Sequence, residues 1–297
     1  MKRLAVWWQA TRPYSFTASA TPVFVGSAVA ARAGRFSPLL FVVTLAACVA
    51  IHAGVNLIND YYDHVRGVDS PDSIGPGGAI QRRLLAPAAV RSGGIALLAF
   101  GSALGLGLAI VVGWPILAVG ALSVLAGYLY TAGPLPLGYI GLGDAVVFIF
   151  MGPVIVLGAY YVQARTVSTG ALWSSIPVGA LVTAILVVNN LRDLSTDRAR
   201  GKRTLATALG PGGTRAEYAV LVTGAFAAIA VGTARAHLPL LALLALAALP
   251  AGADAWAQVQ IETDPRTLTS GALRGTARVH RTVGLLLALA WLLPFPV

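Results

Sequence analysis

The feature that most constrains this chain is the succession of long apolar blocks running through nearly its whole length. Nine can be marked out, at about residues 15–34, 37–58, 93–112, 115–131, 139–163, 170–190, 216–235, 238–256 and 279–297. Each holds roughly 17–25 residues, and a helix of that length crosses a hydrocarbon core about 30 Å thick. The expectation is an all-α, polytopic membrane protein, a bundle of nine transmembrane helices. Composition removes the soluble alternative. Hydrophobic residues make up 57% of the chain and charged residues only 11%, too few to cover a core of this size with polar surface. Blocks three and four are divided only by Gly113-Trp114-Pro115, a helix stop followed by a helix start. The first block meets the second at once and carries no small-residue cleavage site, so it reads as a retained span. Cys48 is the single cysteine; it can form no intramolecular disulfide and reads as a packed apolar residue.

Charge then orients the bundle. With the N-terminus inside, the inner segments hold Lys2, Arg3 and Arg12; Arg66, Arg82, Arg83 and Arg91; Arg192, Arg198, Arg200, Lys202, Arg203 and Arg215; and Arg266, Arg274, Arg278 and Arg281. These are 17 of the 21 basic residues, leaving only Arg32, Arg35, Arg165 and Arg235 outside. The asymmetry predicts a cytoplasmic N-terminus, an external C-terminus and a plasma or inner-membrane location. The net charge of +10 is explained by this topology and by attraction to anionic lipid or an anionic substrate, with no need of nucleic acid. All acidic residues but Asp254 fall on the same side. A face that gathers both carboxylates and guanidinium groups suits a metal and a polyanion.

Two carboxylate clusters stand out. After the second block come Asn56, Asn59, Asp60 and Asp63, with Asp69 beyond; spaced by three or four, they share one face of a continuing helix. After the sixth come Asn189, Asn190, Asp193 and Asp197, in which 189, 193 and 197 make a second stripe. Like charges at this spacing repel, and near a membrane they are costly unless a cation neutralises them. Oxygen ligands without cysteine favour Mg²⁺ or another hard divalent ion. Carboxylates that hold Mg²⁺, with Lys202, Arg203 and Arg82 nearby, are a physical solution for binding a diphosphate. The bilayer would supply a path for an apolar tail. Each cluster follows an even-numbered block, four blocks apart, which suggests a single domain over residues 1–297 with two motif-bearing halves, about 1–131 and 139–297. Their acids would face each other across a central cavity open to the cytoplasm and to lipid.

At these residues the sequence resembles the UbiA superfamily of intramembrane prenyltransferases, whose acid motifs read NDxxDxxxD and DxxxD. Asn59-Asp60-x-x-Asp63 and Asp193-x-x-x-Asp197 match, whereas position 67 is Gly and the third acid is displaced to Asp69. The likeness extends over Arg12-Pro13 with Ala18–Val23, Gly75–Arg82, Tyr130–Asp144 and Asn189–Ala206. Leu135, where many relatives have a basic residue, and Asp144, where Glu is usual, depart from it. Within the superfamily these stretches resemble the branch that prenylates 1,4-dihydroxy-2-naphthoate. The resemblance implies a nine-helix bundle, a Mg²⁺-dependent polyprenyl diphosphate donor, and an aromatic acceptor that loses its carboxylate to give demethylmenaquinol.

The expected roles follow. Asp60, Asp63, Asp193 and Asp197 bind two Mg²⁺ ions, with Asn56, Asn59, Asn189 and Asn190 completing the shell. Lys202, Arg203, Arg66 and Arg82 stabilise the leaving diphosphate. Tyr130 and Tyr139 face the allylic cation or the acceptor, or are interfacial tyrosines of the kind common at helix ends. Arg12 is read as a topological charge in preference to a partner for the acceptor carboxylate, and His52 as a hydrogen-bonded structural residue in preference to a proton relay; His280 and Asp254 carry no assignment. Three other readings share these features, and the first is prenyl transfer to another acceptor such as hydroxybenzoate. A membrane terpene cyclase would replace the acceptor with the prenyl chain itself, and 8% aromatic residues are few for that cavity. A transporter would place its acids near the bilayer midplane, whereas these lie at one rim.

Overall fold

The computed structural model describes residues 3–69 and 78–294. Asp72 and the Gly75–Gly77 part of the second resembling stretch lie outside the described residues, as do Lys2 and the last three positions. The elements are α1 (Arg3–Ala10), α2 (Thr17–Arg32), α3 (Pro38–Val65), α4 (Pro87–Val112), α5 (Trp114–Leu129), α6 (Gly143–Ala164), α7 (Thr169–Ala199), α8 (Leu205–Ala234), α9 (Leu240–Ile261) and α10 (Arg274–Leu292). Among the described residues no β-strand is present, only one isolated bridge between Ile140 and Arg203. Each of the nine apolar blocks falls on one of the helices α2 to α10. Six of these, α3, α4, α6, α7, α8 and α9, are long and apolar enough to cross a membrane. At 16 residues each, α2 and α5 are about 24 Å long at 1.5 Å per residue. The 19 residues of α10 begin with Arg274, Arg278 and Arg281, which breaks its apolar run.

The helix boundaries have local causes. Ser37, Ser168 and Thr204 cap α3, α7 and α8 by accepting from Leu40 N, Ala171 N and Thr207 N at 3.4, 3.3 and 3.1 Å, each satisfying a donor that the first turn leaves free. Gly113, at φ 113°, turns the chain between α4 and α5, a conformation a side chain would resist. Two helices are interrupted within the bundle. In α6 a π-helical turn covers Phe150–Val154 around Pro153, which has no N–H to continue the ladder. In α8, Gly210 takes φ 70° ahead of Pro211 and kinks the axis.

At the centre is α7: 72% of its most apolar stretch is buried, against 28–39% in the other five long helices. Its Leu181, Ala184 and Val187 join the main core with Val25 and Val29 of α2, Ile229 of α8 and Val283 and Leu287 of α10. Where α6 crosses α7, a Cβ on Gly152 would stand 2.6 Å from the Gly179 Cα, so backbone packs on backbone in the manner of small-residue membrane interfaces. Both motif helices outrun their apolar blocks. α3 continues to Val65 and α7 to Ala199, so the carboxylate stripes stay helical. The amphipathic α1 has no counterpart among the apolar blocks. It packs Val6 and Ala10 with Leu57, Ala79, Ile80 and Val90 while Leu4 and Trp8 stay exposed.

Candidate active site

The ends of α3 and α7 open into one cavity of about 1060 Å³. From α3 it receives Asn56, Asn59 and Asp63; from α7, Asn189, Asn190, Asp193 and Asp197. Lys202, Arg82, Tyr130 and Tyr139 also reach its wall, so the two acid clusters share a single space. Farther in, its wall is apolar, with Ile116, Val119, Val146, Phe150, Ile155 and Leu186.

Three of the expected site residues lie off this wall. Asp60, only 2% exposed, is held by Arg12, whose guanidinium pairs with Oδ1 and also donates to Asn59 Oδ1 at 3.4 Å. Arg66 bonds the carbonyls of Thr131 and Gly133 and sits 5.4 and 5.2 Å from the Tyr62 and Tyr139 ring centres, fastening the α5–α6 connection to α3. Arg203 donates its backbone N–H to the Tyr139 carbonyl at 3.1 Å, which ties that connection to the segment after α7.

A chain of contacts links the two clusters. The Tyr139 hydroxyl donates to Asp63 Oδ1; Lys202 Nζ lies 5.0 Å from the Tyr139 ring centre and 3.6 Å from Asp197 Oδ2. Burial, then the charge of Asp63, holds the Tyr139 phenol well above its usual range, so it stays a donor. Asp69, beyond the end of α3, is pushed up to about 6 by burial and by the neighbouring Asp63. For Arg12, burial opposes the charge, but Asp60 together with Tyr14, Asp69 and Asp63 more than offsets it and the guanidinium remains protonated. Arg192 makes a two-pronged bond to Asp193, Nε to Oδ1 at 2.8 Å and Nη2 to Oδ2 at 2.5 Å. Asn190 donates to Asp144 at 3.4 Å and Asn189 to the Ile185 carbonyl at 3.2 Å. Tyr130 is wedged between glycines: a Cβ on Gly138 would stand 3.0 Å from its ring, and one on Gly143 3.0 Å from its hydroxyl.

The donor set suits one kind of metal site and excludes another. Among the described residues no three His, Cys, Asp or Glu side chains converge as a ready cage. Asp197 Oδ2, however, is buried without a hydrogen bond and has only the Lys202 ammonium, 3.6 Å away, beside it, so it can take a closer cation. Mg²⁺ commonly takes one or two carboxylates and completes its octahedron with water and phosphate oxygens. Carboxylates spread over two facing helix ends fit Mg²⁺ bound together with a diphosphate.

The chain matches the UbiA prenyltransferase family over residues 19–268. It belongs to that family. Among curated relatives, the 1,4-dihydroxy-2-naphthoate octaprenyltransferase of Mycobacterium tuberculosis is 39% identical over 218 residues, 73% of this chain and 74% of its own length. The enzyme of that name from Escherichia coli is 35% identical, covering 78% of this chain and 77% of its own. The Bacillus subtilis one is 38% identical over 68% of this chain, which spans 65% of that relative's length. A solved UbiA homolog from Archaeoglobus fulgidus bound to GPP and Mg²⁺ superposes with a TM-score of 0.64 at 14% identity, covering 96% of this chain and 99% of its own. The UbiA fold thus accounts for the helical bundle.

Sequence reading passed over several groups on this wall. Arg12, taken as a topological charge in preference to a partner for the acceptor carboxylate, is in the cavity and neutralises Asp60. Arg192 and, from α10, Arg274, Arg278 and Arg281 also line it. The signal for the last three was the i, i+4, i+7 spacing, which places them on one helix face.

Proposed function

We propose that this UbiA family member transfers a polyprenyl group from a polyprenyl diphosphate to 1,4-dihydroxy-2-naphthoate. The acceptor loses its carboxylate and becomes demethylmenaquinol, a step of menaquinone synthesis. The observation that carries the reading is the meeting of both acid motifs in one cavity, with cations on its wall and an apolar interior. The names of the curated relatives support the acceptor, and the Mg²⁺-bound homolog supports the metal.

Asp63, Asp193 and Asp197, on the wall, would hold two Mg²⁺ ions, with Asp60 set behind them on Arg12 and Asn56, Asn59, Asn189 and Asn190 around them. Bound there, Mg²⁺ supplies charge neutralisation for the diphosphate as leaving group. Lys202 and Arg82, on the wall, reach the diphosphate oxygens directly; Arg66 and Arg203 hold the connections that carry Tyr139 and Lys202. The apolar interior takes the prenyl chain and keeps water from the allylic cation. Tyr130 and Tyr139 turn ring electrons or hydroxyls toward that cation. In the membrane the chain makes nine spans in two motif-bearing halves, about 1–131 and 139–297. Its N-terminus and active site are cytoplasmic, its C-terminus external, and lipid borders the cavity.

The test is an assay of purified protein in detergent with Mg²⁺, a labelled polyprenyl diphosphate and a panel of aromatic acids. Prenylated product from dihydroxynaphthoate with loss of CO₂, abolished by EDTA and restored by Mg²⁺, is expected. Diphosphate release with a cyclised prenyl product and no acceptor consumed would overturn the reading.

A further inference from the structure

One turn of α3 inward from Asn56, His52 lies on the cavity wall together with Ser15 and Ser19. Its hydrogen bonds can be followed proton by proton. Nδ1 is 3.1 Å from the Ser19 Oγ, and Nε2 is 3.3 Å from the Ser15 Oγ. Each serine has one proton and directs it to a backbone carbonyl, Ser19 to Phe16 O at 3.2 Å and Ser15 to Arg12 O at 2.7 Å. The Ser15 oxygen also accepts from Asn56 Nδ2 at 3.3 Å. Both oxygens therefore turn lone pairs toward the ring, and only an imidazolium has a proton for each.

The ring is 9% exposed, and no carboxylate among the described residues is hydrogen-bonded to it. The charge acting on it is the Arg12 guanidinium, itself paired with Asp60. A ring so placed rests neutral. Nδ1–H then takes the shorter contact, to Ser19, and Nε2 faces Ser15 lone pair to lone pair. The Ser15 hydroxyl relieves this by swinging from the Arg12 carbonyl to Nε2. The network is thus short by one proton, and the ring that lacks it lies on the cavity wall.

We propose that Ser15 and His52 form a proton relay for a hydroxyl of the aromatic acceptor, with Ser15 touching the acceptor and His52 Nε2 storing the proton. The proposal rests on the reading of the acceptor as a hydroxylated aromatic acid. The acceptor O–H breaks as its proton moves to Ser15 Oγ, while the proton of Ser15 moves to Nε2. An aryloxide and an imidazolium result. The aryloxide pair drives a ring carbon onto the allylic carbon, forming the C–C bond as the C–O bond to diphosphate breaks, and leaves a ketone. The carboxylate departs as CO₂, its bonding pair restores the aromatic ring, and the imidazolium returns the proton through Ser15 to the same oxygen. No proton is gained or lost overall, and no co-reactant is needed. His52 is a positioning and storage group acting through Ser15.

The test uses the full chain in detergent with Mg²⁺, a polyprenyl diphosphate and dihydroxynaphthoate. His52→Gln, whose amide keeps polar contact with the serines, and Ser15→Ala should each lower kcat about 100-fold. In His52→Gln the KM for the prenyl diphosphate and its Mg²⁺-dependent thermal shift should be unchanged. The acid limb of the wild-type kcat–pH profile should vanish in His52→Gln. A fluorinated acceptor, ionised without a base, should bring that variant to within about 10-fold of wild type. Wild-type turnover in His52→Gln, no rescue by the fluorinated acceptor, or loss of the prenyl diphosphate thermal shift would overturn the relay. A wild type that prenylates no hydroxylated aromatic acid would overturn the acceptor reading first, and the relay with it.

Discussion

Asp63 is the residue on which the two motif regions converge: it accepts from Tyr139, and its charge acts on both Asp69 and Asp197. Such a buried carboxylate is tolerable only while cations and donors surround it. Asp63→Asn or Asp193→Asn should therefore lower kcat by at least about 100-fold, the scale seen when one charge-stabilising group is lost. The apparent melting temperature should stay close to wild type, because neither side chain packs in the apolar core. Activity within a few-fold of wild type in either variant would contradict the metal assignment. At this scale the sequence was informative about the acids, because their spacing alone places them on one helix face. It was silent about Arg12, whose partner lies 48 positions away. Charge counting reveals the side of the membrane a residue occupies, and nothing about which group it faces.

The elements that bring these residues together depend on close backbone contact. α7 delivers Asp193 and Asp197 from the centre of the bundle, and α6 reaches it at Gly152 and Gly179. Gly152→Val would force the axes apart, since the contact is with backbone that has no rotamer to yield. We expect a loss of about 1–3 kcal/mol in stability, read as a lower melting temperature in detergent, with a raised KM for the prenyl diphosphate. An unchanged melting temperature would show that the crossing tolerates a side chain. The apolar blocks announced both helices, and Pro153 was visible in the sequence, but the π-helical turn around it arises only when α7 offers a surface to pack on. α1 went unseen because its eight residues are far below the length that marks a span.

For the whole molecule, the distribution of arginine and lysine predicts that the segment after α7 is inside and that between α6 and α7 outside. In a Cys48→Ser background, Val167→Cys should react with a membrane-impermeant maleimide on intact cells. Arg200→Cys should react only once the membrane is opened. The opposite pattern would invert the topology. The shared cavity sets how the parts cooperate: acids and cations at the helix ends, apolar lining beyond. Such a cavity suits the proposed amphiphilic donor, whose charged head and apolar chain would lie in different surroundings.

By itself the sequence determined that the chain is helical and membrane-embedded, and where its acids are concentrated. These properties follow from the length of apolar runs and from side-chain spacing along a helix, both local along the chain. Only the tertiary structure decided which side chains meet. It turned Asp63 and Lys202 toward the cavity and gave Asp60 to Arg12. It took Arg66 and Arg203 off the wall, and set His52 between two serines that share no motif with it. Such pairings depend on how helices cross and rotate against one another. That is fixed by packing between residues far apart in sequence, which no periodicity within one helix records.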